Sequence, residues 1–326
     1  MELKEIKALA DRIQENVSKV IVGKPETTQH VLIALFASGH ILLEDLPGLG
    51  KTLLAKSIAK SIGCDFKRTQ FTPDLLPSDI TGINFYSPKE GEFKFRPGSV
   101  FTNIMLADEI NRATPRTQSS LLECMEERQV SIDGVTMKLE SPFMVIATQN
   151  PVEIQGTFPL PEAQLDRFMI KTGMGYPTHE ESDEIMRRFN GENPLAELTP
   201  VATKEEIQDA QASFAKVRVG DDIYRYITLI ADASRRHPEV VFGVSPRGTQ
   251  ALLRAAQIKA ILAGREFVTP DDVKTMAVPV LAHRIVIRNL SRLKANQAEE
   301  VIRSVVAGVT VPTEDFARAN VREVLE

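Results

Sequence analysis

Cysteine is nearly missing from this 326-residue chain, which carries only Cys64 and Cys124. Two lone cysteines in helical-looking contexts give neither a disulfide framework nor a metal-ligand spacing. The five histidines (His30, His40, His179, His237 and His283) show no ligand spacing and are read as structural or exposed. Long apolar runs are lacking too. The longest, Val31 to Leu43, is interrupted at Ser38, Gly39 and His40 and is too short to span a bilayer. Met1-Glu2-Leu3-Lys4-Glu5-Ile6-Lys7 reads as a charged helix and not as a signal peptide, so a cytoplasmic location is expected. Excess charge is also small. At a net −5, no global field draws the chain to nucleic acid or to an anionic membrane. Low-complexity segments and short-period repeats are absent.

What remains is the composition of an ordinary soluble protein, long enough for roughly two domains and a substantial core. The chain is organised around Glu44-Asp45-Leu46-Pro47-Gly48-Leu49-Gly50-Lys51-Thr52. An apolar run, His40 to Leu43, precedes it and reads as a buried strand. Leu53 to Lys60 follows with helical spacing. Strand, glycine loop and helix are the context that the phosphate-binding pattern G-x-x-x-x-G-K-[ST] needs. Backbone N–H groups of such a loop turn toward phosphate oxygens, and the helix N-terminus adds partial positive charge. Asp45, Leu46, Pro47, Gly48, Leu49, Gly50, Lys51, Thr52 and Leu53 are therefore the candidate nucleotide contacts. Lys51 reaches β/γ-phosphates and Thr52 ligates Mg²⁺. The first glycine of the pattern is replaced by Asp45.

Upstream, residues 3–20 read as an amphipathic helix and Pro25 to Ser38 as a second. Between them Ile21, Val22 and Gly23 make a turn that either packs on an adenine ring or simply fills the core. Downstream, Phe66 to Phe71 reads as a strand. Residues 73–82 are turn-rich, and Ile83 to Tyr86 with Glu92 to Phe95 form a hairpin. Asn103 to Glu109 is a continuous apolar run that ends in two carboxylates, as a central parallel strand would. Ligands of open α/β sheets bind outside the carboxyl ends of such strands. There Asp108 suits Mg²⁺ and Glu109 suits the attacking water; the plainer reading is a carboxylate pair capping the turn at Ile110-Asn111-Arg112.

A helix over 115–128 leads to a second hairpin around Asp133-Gly134. Phe143 to Thr148 is another buried strand, ending in Gln149-Asn150. Asn150 either holds the attacking water or starts an Asx-turn. Residues 162–168 read as a short helix entering a strand at 168–171. Turn residues near 191–194 place the domain boundary around 175–200. The remainder reads as all-helical, over 203–217, 222–236, 246–263, 270–282 and about 296–306. Ser245-Pro246-Arg247 supplies an N-cap, a first-turn proline and an arginine set against the helix dipole, which points Arg247 at an external anion.

The pattern resembles a MoxR-type AAA+ ATPase of the helix-2-insert clade. The stretches that carry it are Gln70 to Asp79, Ala107 to Arg112, Ala147 to Pro151 and Leu160 to Phe168. The resemblance implies an α/β fold: a P-loop NTPase core over about 1–185 with a five-stranded parallel sheet, and an all-helical C-terminal lid over about 200–326. It matches Lys51 and Thr52 to Walker A, Asp108 and Glu109 to Walker B, and Asn150 to sensor 1. Arg167 matches the arginine finger, with Arg112 and Arg116 in reserve, and Arg247 matches sensor 2. On the residues alone, Arg167 can equally pair with Asp166 or Glu162 on the surface.

The segment 73–99 then corresponds to the helix-2 insertion and 129–140 to the pre-sensor-1 hairpin. ATP/ADP and Mg²⁺ are the implied cofactors and a homo-oligomeric ring, usually a hexamer, the implied assembly. Chaperone-like remodelling, with von Willebrand factor A-domain partners and metal or cofactor insertion, is the implied role. Two other readings are weighed. A nucleic-acid motor needs basic hairpin tips, whereas Lys89-Glu90 and Asp133-Gly134 are near neutral or acidic. A nucleotide-gated scaffold without turnover has no use for Glu109 or an arginine finger.

Overall fold

The computed structural model describes residues 1–151, 156–191, 193–288 and 296–311. The chain divides into two compact units, Met1–Phe214 and Ala215–Glu326. In chain order the first contains α1 (Leu3–Ser18), α2 (Pro25–Phe36), β1 (Ile41–Glu44), α3 (Lys51–Ser61), β2 (Phe66–Gln70) and α4 (Pro77–Thr81). There follow β3 (Gly82–Ser87), β4 (Glu92–Pro97), β5 (Ile104–Asp108), α5 (Pro115–Glu127), β6 (Gln129–Ile132), β7 (Val135–Lys138) and β8 (Met144–Gln149). The unit closes with α6 (Glu162–Leu165), β9 (Ile170–Thr172), α7 (His179–Phe189), α8 (Pro194–Glu197) and α9 (Lys204–Ser213).

Five strands form one parallel sheet in the order β2-β5-β8-β1-β9. The three central strands are the apolar ones. Every residue of β5 is buried, as are Met144 to Thr148 of β8 and Ile41 to Leu43 of β1. Strands covered on both faces need such continuous runs. The edge strands carry the charge, with Lys67 and Arg68 on β2 and Lys171 on β9. Charged edges keep an open sheet from pairing with another chain. From β1 the chain crosses toward one edge of the sheet, and from its neighbour β8 toward the other. Ligands of open sheets bind at such a switch point.

The two hairpins lie where the sequence places them, as β3–β4 and β6–β7, and Asn84 of the first donates to Asp133 of the second at 2.8 Å. Across β3–β4 the exposed Phe93 ring meets Tyr86 edge-on, 5.5 Å between centroids. Two differences from the sequence reading stand out. Residues 179–189 form a helix whose Thr178 hydroxyl accepts from Glu181 N–H while Glu181 accepts from Thr178 N–H, a reciprocal cap. The unit boundary also lies at Phe214 and Ala215, later than 175–200. The cause is packing: α9 buries Ile207 and Ala210, Gln211 donates to the Leu35 carbonyl at 2.7 Å, and Arg12 pairs with Glu206 at 2.7 Å.

The second unit contains α10 (Asp221–Arg236), β10 (Val240–Phe242), α11 (Pro246–Leu262), α12 (Pro270–Leu281), β11 (Val286–Ile287) and α13 (Gln297–Gly308). Its described residues are helical apart from loops, an isolated bridge between Arg218 and Phe267, and the short antiparallel β10–β11 ladder, which the sequence reading does not foresee. Residues in it such as Ile230, Leu252, Ala256, Val273 and Ile302 form its buried interior.

One buried histidine ties the sheet of the first unit together. His40 Nε2–H donates to the Met125 carbonyl at 3.0 Å, and Nδ1 accepts from Val145 N–H at 2.9 Å. Both contacts need the neutral ring. Burial, reinforced by the nearby Arg128 charge and opposed by the Met125 carbonyl, lowers its pKa from 6.5 to about 3. The unfolded chain therefore takes up a proton near pH 6.5 that the folded chain refuses. Stability from this site is complete above pH 6.5 and falls on acidification, by up to about 1.4 kcal/mol per pH unit. Urea unfolding followed from pH 6.5 down to about 4 should show a slope against pH that His40→Gln flattens by about one proton. Parallel slopes in the two proteins would place the titrating group elsewhere.

Candidate functional site

Between β1 and α3 the backbone makes a cradle. Gly48 and Gly50 have φ of 84° and 87°, a region closed to most side chains, and Gly50 is the N-cap of α3. Lys51, only 9% exposed, folds back over this turn. Its ammonium donates to the carbonyls of Asp45 at 2.5 Å and Leu46 at 3.0 Å. Burial lowers its pKa, while the charges of Asp45, Asp108 and Glu109 pull the other way. An anion in the cradle would relieve that penalty.

Asp45, at the position where the pattern has glycine, faces away from the cradle. Its Oδ2 accepts N–H from Met174 and from Gly175 (2.8 Å), and Oδ1 accepts from Leu46 N–H at 3.2 Å. Asp45 and Leu46, expected among the nucleotide contacts, do not line the cavity. Their part is to hold Lys51 by carbonyls and to tie the loop to the segment after β9.

Two cavities meet along the loop and share Gly48, Leu49, Gly50 and Leu53. One, of about 400 Å³, is polar and bounded by Pro47 to Leu53, Arg68, Gln70, Asp108, Glu109, Thr148, Gln149 and Asn150. The other, of about 290 Å³, is apolar and bounded by Val20, Ile21, Val22, Met174, Ile185 and Phe189 among others. Val22 is on this wall but Gly23 is not. At φ 68° Gly23 lets the chain pass α7 so closely that a Cβ would lie 2.0 Å from the Glu181 carboxylate. That carboxylate pairs with Lys24 at 3.3 Å. A polar chamber joined to an apolar one is the shape that a nucleotide's phosphates and base require.

The strand register supplies the acids. Gln70 pairs with Asp108 across β2–β5, Ala107 with Ala147 across β5–β8, and Glu44 with Gln149 across β8–β1. The strand ends are thus level. Thr148, 1% exposed, ties the Asp108 carboxylate to the Glu109 backbone: its hydroxyl donates to Asp108 Oδ1 at 2.6 Å and accepts from Glu109 N–H at 2.8 Å. Glu109 sits in the left-handed region at φ 56°, so the chain turns sharply and directs its side chain toward the cavity. Its Oε2 accepts from Gln70 Nε2 at 2.7 Å and from Arg112 Nη1 at 3.0 Å. Arg68 pairs with Asp108 at 2.7 Å. Arg68, Gln70 and Thr148 are members of this site to which the sequence reading gives no role: Arg68 lies outside the stretches that carry the resemblance, and Gln70 and Thr148 lie within them without a chemistry of their own.

The remaining expected residues lie elsewhere. Arg167 is outside this cavity and pairs with Glu126 at 3.3 Å, not with Asp166 or Glu162. It borders a separate polar cleft with Glu123, Glu127 and Gln164. Arg112 faces its own Glu109, and Arg116 is exposed on the first turn of α5. Arg247 belongs to the second unit, exposed in the first turn of α11 beside the Ser245 cap.

The description "ATPase family associated with various cellular activities (AAA)" matches residues 40–170, and "AAA lid domain" matches 232–305. Chaperone MoxR1 of Mycobacterium tuberculosis is 39% identical over 305 residues, 91% of this chain and 80% of that protein. The chain belongs to the MoxR family of AAA+ ATPases. The uncharacterized protein YeaC of Bacillus subtilis is similar at 48% identity over 313 residues, 96% of this chain and 98% of its own. A crystal structure from Cytophaga hutchinsonii, assigned as an ATPase, superimposes with a TM-score of 0.88 at 36% identity, covering 95% of this chain and 96% of that one. In this MoxR-family ATPase the AAA match begins at His40 and ends at Ile170, so it embraces the cradle, both acids and Arg167.

The donor set also bears on metal. Among the described residues no group of three or more His, Cys, Asp or Glu stands together as a metal site. Thr52 and Asp108, hard oxygen donors on one cavity, fit a Mg²⁺ that keeps waters and takes its other ligands from phosphate. No helix among the described residues is long and apolar enough to cross a membrane.

Thr148→Val tests the strand-end arrangement. It leaves Glu109 N–H without an acceptor and Asp108 with one donor fewer at equal volume. Loss of about 1–3 kcal/mol in urea-unfolding free energy is expected, together with reduced turnover. A variant as stable as the parent would mean that the hydroxyl does not organise the acids.

Proposed function

We propose that this protein hydrolyses ATP in the polar cavity and uses the cycle for chaperone-like remodelling or assembly of protein complexes, working in the cytoplasm as a ring. The observation that carries the reading is the convergence of Lys51, Thr52, Asp108, Glu109 and Asn150 on one cavity that opens into an apolar chamber. Backbone N–H groups of the cradle and Lys51 bind the phosphates, and the base lies against Val22 and its neighbours. Thr52 and Asp108 would hold Mg²⁺, which when bound neutralises charge between the β- and γ-phosphates. Glu109 and Asn150 orient the attacking water. Gln70 and Arg112 both hold Oε2 of Glu109, so either Oε1 takes the water or these two contacts are released.

The position of Arg167 supports a ring. Lying outside its own cavity, it serves hydrolysis only at the cavity of a neighbouring subunit. Glu126 keeps its charge compensated until then. Arg247, on the second unit, is proposed to answer the nucleotide's charge as sensor 2. A hexamer is the proposed assembly and a von Willebrand factor A-domain protein the proposed partner. The restraint on Glu109 favours one second reading, a nucleotide-gated scaffold with negligible turnover; phosphate release no faster than in Glu109→Gln would select it.

The test of the ring is complementation. Arg167→Ala should lower turnover by about 10³–10⁵-fold while leaving ATP binding intact. Lys51→Ala should abolish binding. Mixing these two inactive proteins should restore part of the phosphate release, since one interface then pairs an intact cradle with an intact arginine. Absence of rescue at every mixing ratio, or loss of ATP binding in Arg167→Ala, argues against a shared site.

A further inference from the structure

On β2, Arg68 and Gln70 are two residues apart and so share a face of the strand. Both reach the carboxyl end of β5. The Arg68 guanidinium donates to a single oxygen of Asp108, Oδ2, from Nε at 3.0 Å and from Nη2 at 2.7 Å. Nη2 donates also to Gln70 Oε1 at 2.8 Å. A guanidinium has donors only, so it fixes which end of the Gln70 amide faces it. With Oε1 turned to Arg68, the Nε2 end is turned to Glu109, which accepts at 2.7 Å. Asp108, Arg68, Gln70 and Glu109 therefore form one chain of contacts from the metal-holding carboxylate to the water-orienting one.

We propose that Arg68 is a positioning residue that stands in for the metal: it occupies Asp108 until a divalent cation replaces it, and through Gln70 it restrains Glu109 for the same interval. The inference rests on the reading of the cavity as a Mg²⁺–nucleotide site. While Arg68 is in place Oδ2 of Asp108 is filled, because Nε and Nη2 both donate to it, and Oδ1 already accepts from Thr148. Arg68 and a cation compete for Oδ2. The Arg68 side chain is 48% exposed and borders the cavity, so it can withdraw without breaking a packed core. Once it withdraws, Gln70 Oε1 loses its donor and the amide is free to turn. Glu109 Oε2 then keeps the bond that Arg112 donates at 3.0 Å. The pairing also adds a cation for Asp108 beside Lys51, while Arg112 answers Glu109.

The experiment is Mn²⁺ binding to the full chain in the presence of ADP, read by electron paramagnetic resonance and independent of turnover. Arg68→Met should tighten Mn²⁺ by about two- to fivefold, the range for release of a half-exposed ion pair. Arg68→Lys, which keeps a cation on Asp108, should bind Mn²⁺ as the parent does. Gln70→Leu should tighten Mn²⁺ in the parent background and have no effect once Arg68 is methionine, which is the signature of coupling. Thermal unfolding checks that the variants fold, with Arg68→Gln as the replacement should methionine fail. Equal or weaker Mn²⁺ binding in Arg68→Met overturns the competition and leaves the nucleotide reading standing. Equal Gln70→Leu effects in both backgrounds overturn the link to Glu109. No ADP-dependent Mn²⁺ signal in the parent overturns both.

Discussion

Compensation of negative charge at the end of the sheet is the constraint on which the rest of this structure depends. A central strand that is wholly apolar delivers Asp108 and Glu109 to a cavity meant for phosphates, where every group added is another anion. Lys51, Arg68 and Arg112 answer them from three different elements, the cradle helix, the edge strand and the turn after β5. Thr148 adds a neutral hydroxyl that donates to the Asp108 carboxylate and accepts from the backbone N–H of Glu109. Parallel register brings these groups to one level, which a sequence motif alone does not.

The chemistry of the motif was legible because it is local. Glycines at 48 and 50 with the lysine and threonine that follow make one short stretch, and the two acids closing the apolar run at 108 and 109 make another. The apolar runs of β1, β5 and β8 likewise announce buried strands without any knowledge of their neighbours. Arg68 and Gln70 were not legible. On β2 they alternate with Lys67 and Thr69, and only the pairing of β2 with β5 reveals which of these faces the site. The partner of Arg167 was misjudged for the same reason, since Glu126 is remote in sequence and lies on α5.

Elsewhere the sequence holds signals that hydrophobic periodicity does not carry. Thr178 and Glu181 are spaced as a reciprocal cap, and the helix they open spans 179–189. The β10–β11 ladder is too short for any periodicity to mark it. The limit of the first unit follows from the burial of Ile207 and Ala210 and the contact of Gln211 with Leu35, none of which a change in composition reports.

Asp45 has a consequence for how such chains are compared. Judged by the phosphate-binding pattern, aspartate at this position is a defect and glycine the repair. Here the carboxylate fastens the cradle to Met174 and Gly175, and those two residues wall the apolar chamber. A substitution that perfected the pattern would thus unfasten the loop from the wall of the apolar chamber. Conformity to a motif and fitness of a site are different quantities, and at position 45 they point in opposite directions.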